Sequence, residues 1–417
     1  MLKLLLPRGD DRRSPAPRTA AERWGFGHSR ILVASVALCS LGVANAPSRA
    51  ELAARATLTA TSSRPEDARV LELRGECEKF LALQHAVGMG VAILDDGKVV
   101  LDAAFGFADR ETKRAASTDT LYRLGSISKP VAAAIAMQLV DEKKLDLDAD
   151  VRAQLPGVAA RMQPTTLRQL LSHTAGIRHY LDGRKDNSTE HKTTAQALEL
   201  FVGDPLVAPP GTLYSYSTHG YTLVHAVLEA ASKKSFVELV RERIRARGLA
   251  SLDCEVLTEP AKPARTALYE LDEKPAGAEQ QVEAVREAKL CGPREDNSWK
   301  YAGGGMESTV LDLARFGELV RTAKLVSESA RDALWTRTKL NDGKEIAYGL
   351  GWRISPDGSV VLHTGSQQGA QSVLLVVPGA GLVIAVMTNT SGTKPLELAS
   401  KLQQQLAPVS APAPTGK

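Results

Sequence analysis

The chain carries β-type sequence on both sides of a long helical stretch, and any fold has to accommodate that order. Near the start, MGVAILDDGKVVLDAAFGFAD holds two short β-rich runs, residues 89–94 and 98–105. Asp95-Asp96-Gly97 joins them, a strong local hairpin signal because Asp-Gly tolerates the positive φ angles of a two-residue turn. From Pro130 the period turns helical. Val131, Ile135, Leu139 and Val140 recur at helix spacing, with Pro130 near the first turn, where its missing N–H costs least. Residues from about 150 to 300 read as mainly helical with irregular connections, TTLRQLLSHTAGI and GYTLVHAVLEAASKKSFVELVRERIRARGL being the helical parts, GDPLVAPPGT and 259–297 the loop-like ones. The strand signal then returns. YGLGWRIS, SVVLHTGSQQG, AQSVLLVVPGAG and LVIAVMTNTSG are four runs separated by Gly, Pro or Asp, which suits an antiparallel meander. A last helix, 394–406, precedes a Pro- and Ala-rich tail expected to be disordered.

Charge isolates the N-terminus. Of 52 Lys and Arg against 48 Asp and Glu, residues 1–30 hold seven and three, which leaves 45 against 45. The remainder has no basic stripe with interleaved aromatics, so nucleic acid is excluded as a partner. Arg30, an apolar run over 31–44 and small residues after it have the layout of a cleavable export signal. Cleavage after Ala50, at Ser48-Arg49-Ala50, is preferred over Ala44-Asn45-Ala46, where Pro47 would follow the cut. The thirty preceding residues are long for a charged n-region, so a later start or an organelle-targeting segment is the alternative. The apolar run is shorter than the roughly 20 residues of a spanning helix, so no permanent membrane span is expected. The chain thus divides into a targeting segment (1–50), a linker (51–70), one domain (71–406) and the tail (407–417). Within the domain, 71–150 and 300–406 form an α/β part and 151–299 a helical part. Cys77, Cys254 and Cys291 read as buried free thiols, with a Cys254–Cys291 bridge as the alternative.

Chemistry enters with LYRLGSISKPVAAAIAMQLVDEKKLDLD. Ser126 and Lys129 are spaced one helical turn apart, at or just inside a helix start. A serine hydroxyl needs its proton removed before it can attack. A neutral Lys129 can take that proton, and the helix start supplies backbone N–H groups for an oxyanion. S-x-x-K alone arises often by chance; Gly125 before it and the apolar helix after it raise its weight. In PPGTLYSYSTHGYTLV, Tyr216 precedes a helix, where a phenol can relay protons, although alone it reads as a packed loop aromatic. In VVLHTGSQQG, His363-Thr364-Gly365-Ser366 ends a strand, and Gly365 would let substrate backbone approach the strand edge; His363 alone reads as a surface histidine. His173 with His179, and His219 with His225, are six apart, which puts neither pair on one helix face. No metal or other cofactor is expected.

The order S-x-x-K, Y-x-N-like, K-T-G-like resembles that of the serine β-lactamases and penicillin-binding proteins, here in their class C-type branch. LLSHTAGIRHY, PPGTLYSYST, DNSWKYAGGGMESTVLDLARFG and YGLGW extend the likeness from about Gly88 to Asn389. It is nearest to the family's mitochondrial serine β-lactamase-like members, on the segments at Gly125, Ser172 and Tyr216. The resemblance implies an α/β (α+β) fold of the serine β-lactamase/transpeptidase type, an antiparallel sheet flanked by helices with an inserted mainly helical domain. It implies Ser126 as acylated nucleophile, Lys129 as its proton partner, Tyr216 as base or shuttle, and the N–H groups of Ser126 and Ser366 as oxyanion hole. Thr218, His363, Thr364 and Gly365 would then meet substrate.

Two positions depart from the pattern. Thr218 replaces an asparagine that contacts the acylamino group, and His363 replaces a lysine that attracts the substrate carboxylate. With an unperturbed pKa near ~6.5, a histidine there would carry a fractional charge at neutral pH. The expected function is a serine hydrolase acting through an acyl-enzyme on an ester or small peptide amide. The alternatives are a β-lactamase or D-alanyl-D-alanine carboxypeptidase, and a non-catalytic, self-assembling protein.

Overall fold

A computed structural model describes residues 67–180, 189–272 and 287–407, which fall in one compact unit. The expected targeting segment, nearly all of the linker and the tail lie outside the described residues. The helix Ala68–Leu83 leads into the predicted hairpin, whose strands run a little further than expected: Gly88–Asp95 (β1) and Lys98–Asp109 (β2). Their two-residue turn is Asp96 (φ 43°) and Gly97 (φ 78°), both in the left-handed region that such a turn requires. Arg114–Ala115 (β3) and Tyr122–Arg123 (β4) follow. A 3-10 turn, Gly125–Ile127, then runs directly into the helix Ser128–Asp141.

The middle of the chain contains the expected helices, among them Leu167–Leu171, Thr218–Ser232 and Phe236–Arg243, each opened by a Ser or Thr cap. It also contains Asp253–Cys254 (β5), a strand the sequence reading did not place, and two strands inside the span expected to be loop, Tyr269–Leu271 (β6) and Ala288–Leu290 (β7). Met306–Ser308 (β8) joins β4 and β5 in the order β4-β8-β5. Two or three residues are too few to show alternation, and their partners lie far away in the chain.

The C-terminal meander is Arg353–Ile354 (β9), Val361–Gln367 (β10), Ala370–Val377 (β11) and Leu382–Thr388 (β12), with Thr390–Ser391 (β13) pairing in parallel with β6. The seven-stranded sheet runs β3-β2-β1-β12-β11-β10-β9, so the first and last long strands are central neighbours, in register from Met89 opposite Thr388 to Asp95 opposite Leu382. Both faces are covered, which is why these strands read as continuous apolar runs. Val91, Ile93, Ile384 and Val386 pack with Leu73, Cys77, Leu398 and Leu402 of the helices Ala68–Leu83 and Pro395–Leu406. Ala92, Leu94, Val383 and Ala385 face a larger core containing Val131, Ile135, Leu313 and Phe316. Period two divides each strand between the two cores.

The helix Ser128–Asp141 is buried all round, in keeping with its apolar sequence: every residue from Ser128 to Leu139 is buried. Its run of small alanines lets neighbouring elements close on all sides. Cys77, Cys254 and Cys291 are free thiols, the last only partly buried. No helix among the described residues is long and apolar enough to cross a membrane.

Candidate active site

The turn that presents Ser126 is fixed from both sides. Leu124 N–H donates to the Met306 carbonyl at 2.8 Å, and Ser372 Oγ donates to the Leu124 carbonyl at 2.7 Å. Ser128 Oγ donates to the Gly125 carbonyl (2.8 Å) and accepts from Met306 N–H (3.2 Å). Gly125 has φ 52°, and a Cβ there would stand 2.8 Å from the amide nitrogen of Ser366. Glycine at this position therefore brings β10 against the turn that carries Ser126, and Ser366 N beside it.

Lys129 is fully buried. Its Nζ lies 3.2 Å from Ser126 Oγ, 3.4 Å from Thr218 Oγ1 and 2.6 Å from the Gly303 carbonyl. Burial, with lesser contributions from Lys300 and Arg353, holds its pKa well below the ordinary 10.5. A neutral amine has two donors and one lone pair. Gly303 and Thr218 can take the donors, leaving the lone pair for the proton of Ser126. Tyr216 covers this arrangement, its ring centroid 4.7 Å from Nζ. Burial pushes the phenol above its ordinary pKa, against a smaller opposing influence of Ser126, so Tyr216 rests protonated, as a donor.

The substrate-side expectations fare differently. Ser366 is exposed at the site, with Gln371 Nε2 donating to its Oγ at 3.0 Å. Thr364 is half-buried on the same strand. Gly365 is needed for the protein's own packing, because a Cβ would lie 2.0 Å from the Leu124 carbonyl. Thr218 is buried with its hydroxyl turned to Lys129, so it stands in the lysine's surroundings and not where an acylamino group would meet it.

His363 is neither a surface residue nor a cation. It is 1% exposed, and burial, with a smaller contribution from Lys129, pushes its pKa down to about 3. Its Nδ1 is 2.7 Å from the Thr364 carbonyl, which can only accept, so that nitrogen carries the proton. Nε2 must then accept from the Tyr348 hydroxyl at 2.9 Å. Tyr348 in turn meets His173 Nε2 at 3.2 Å, and His173 Nδ1 accepts Ser217 N–H at 3.1 Å. The result is a neutral chain with one donor direction, His173 to Tyr348 to His363. It braces Tyr216, whose ring lies 4.3 Å from that of His173.

The sequence reading gave no role to Gly303, Tyr348, His173 or Arg353. His173 was weighed only as a metal ligand, and YGLGW only as a strand and as part of the resemblance. Arg353 is exposed at the end of that run, and its positive charge acts on Lys129, His173, Tyr216 and His363 alike.

Residues 73–407 match the family model described as Beta-lactamase. The chain is 27% identical to the serine beta-lactamase-like protein LACTB, mitochondrial, of Homo sapiens, over 73% of this chain and 73% of that one. It is 26% identical to penicillin-binding protein 4* of Bacillus subtilis (strain 168), over 71% of this chain and 66% of that one. Among solved structures, the octameric penicillin-binding protein homologue from Pyrococcus abyssi superposes with a TM-score of 0.68 at 25% identity, covering 81% of this chain and 77% of that one.

Proposed function

The chain belongs to the Beta-lactamase family, and on that premise we propose that it is a serine hydrolase working through an acyl-enzyme at Ser126, on an ester or a small peptide amide. The observation that carries this reading is a buried lysine, Lys129, with no carboxylate among its hydrogen-bond partners and 3.2 Å from the hydroxyl of Ser126. Lys129 takes the Ser126 proton as Oγ attacks the carbonyl carbon. The developing oxyanion is received by the N–H groups of Ser126 and Ser366. Tyr216 gives its proton to the leaving oxygen or nitrogen and is reprotonated from Lys129. Water then releases the acyl group by the reverse relay. The test is a fluorophosphonate probe followed by mass spectrometry. The adduct is expected on the peptide holding Ser126, and full labelling of Ser126→Ala would sink the assignment.

Substrate preference follows from the charges. His363 stays neutral above about pH 3, so the permanent cation at the site edge is Arg353. With Thr218 occupied by Lys129, little remains to hold an acylamino side chain. We expect kcat/KM for a nitrophenyl ester to exceed that for a chromogenic cephalosporin. The ratio of anionic to neutral substrate should show no step near pH 6.5, because His363, with its pKa pushed down to about 3, gains no charge there. A ratio that falls through pH 6.5 would restore His363 to the cationic role. Arg353→Gln should lower turnover of the anionic substrate selectively. A β-lactamase or D-alanyl-D-alanine carboxypeptidase would show the opposite preference, and a self-assembling relic would show no adduct.

A further inference from the structure

We infer that the buried pair Arg123–Glu255, acting through Gln368, sets the spacing between the amide nitrogens of Ser126 and Ser366; this rests on the reading of those amides as the oxyanion hole. Arg123 ends β4 and Glu255 follows β5, and each side chain is 1% exposed. They meet as a fork, Nε 3.0 Å from Oε1 and Nη2 2.7 Å from Oε2. Arg294 also donates to Oε1, and Asn297 Nδ2 to Oε2 at 3.2 Å. Burying such a pair is weak evidence of a gain in stability, since desolvation offsets the attraction. Its connections point to a different role.

Arg123 stands three residues before Ser126, and its remaining donors are spent on one neighbouring segment and one turn. Nη2 donates to the Glu295 carbonyl at 2.8 Å, and Nη1 to Gln368 Oε1 at 3.1 Å. Gln368 lies in the turn between β10 and β11, two residues beyond Ser366. The same Oε1 accepts Glu295 N–H at 3.0 Å, and Nε2 donates to the Pro293 carbonyl at 2.9 Å. Beside it, Gly369 has φ 62°, and a Cβ there would lie 2.3 Å from Leu268 Cβ, so the turn is wedged as well as bonded. On the other side, Asn297 leads into the segment ending at Gly303, whose carbonyl takes Lys129. Glu255 N–H itself donates to the Gly305 carbonyl at 2.9 Å. One carboxylate therefore ties together the nucleophile turn, the strand end bearing Ser366 and the acceptor of the lysine. None of these side chains touches the reacting atoms; they are positioning residues.

Gln368→Met keeps the volume and loses both hydrogen-bonding ends. Displacing one oxyanion donor should slow fluorophosphonate acylation of Ser126, and kcat for a nitrophenyl ester, by about 10- to 100-fold, with KM within about twofold. Affinity for a trifluoromethyl ketone, which forms the tetrahedral adduct, should fall by a similar factor. Gln368→Glu keeps the oxygen that Arg123 and Glu295 N–H address and should recover most of the rate. All rates are compared well below each variant's Tm. Wild-type acylation by Gln368→Met, or Gln368→Glu as slow as Gln368→Met, overturns the inference. A wild-type protein with no adduct on Ser126 instead refutes the reading beneath it, so the two failures are told apart.

Discussion

Lys129→Met should slow acylation of Ser126 by roughly 10²- to 10⁴-fold, the range for loss of a general base, while making the protein harder to unfold at neutral pH. The two effects have one cause. In the unfolded chain a lysine titrates near 10.4, whereas burial in the fold depresses Lys129 well below its ordinary value. Between the two pKa values the unfolded state binds more protons, so stability rises with pH across that window, and the residue is a burden below it. Removing it relieves the burden. Urea unfolding at pH 7 and pH 10 should show the variant's advantage at pH 7 and a smaller one at pH 10. The rate of the wild type should likewise rise through the folded pKa of Lys129 and then level off. A Lys129→Met protein that acylates normally, or whose stability advantage grows toward pH 10, would contradict this account.

His363→Lys should not create a carboxylate anchor. It should destabilise the fold by about 3 kcal/mol or more, the scale of an unpaired buried charge. The position is 1% exposed, faces Lys129 electrostatically, and must accept the Tyr348 hydroxyl. An ammonium has no lone pair to accept with. The loss should extend to Tyr216, which rests on His173 at the other end of the chain of bonds. His363→Gln, which can both accept and donate, should be milder. Denaturation midpoints of the two variants, with the nitrophenyl ester and cephalosporin rates beside them, check this. A stable His363→Lys protein with improved cephalosporin turnover would show that the side chain reaches the cleft after all.

The two predictions trace the limit of what the residues disclosed before the fold was known. The hairpin at Asp96-Gly97, the meander and the helix behind Ser126 follow from local rules of turn chemistry and periodicity, and the structure has them with shifts of a few residues. Ser126, Lys129 and Tyr216 were visible because spacing and motif order carry them, and the fold brings all three together. The role of His363 was misread because a motif position says which residue stands there and nothing of its burial. Tyr348 is fifteen residues away in sequence and His173 far further, so the bonds that neutralise His363 have no local signature. The same holds for Glu255, whose side-chain partners come from two stretches of chain, at Arg123 and at 294–297, both far from it in sequence.

The pairing of β1 with β12 has a consequence for how the protein comes into being. Residue 89 finds its neighbour at residue 388, so a chain emerging from the ribosome holds its first hairpin without a partner until almost everything else has been made. Ser126 and Lys129 leave early, but Ser366 and the strand that carries it leave late. Contacts so distant in sequence are slow to form, and a half-made sheet exposes an apolar edge meanwhile. The Ser126–Ser366 arrangement therefore cannot assemble gradually during synthesis. It forms once, when the final strands seat, because Ser366 reaches the Ser126 turn only with them.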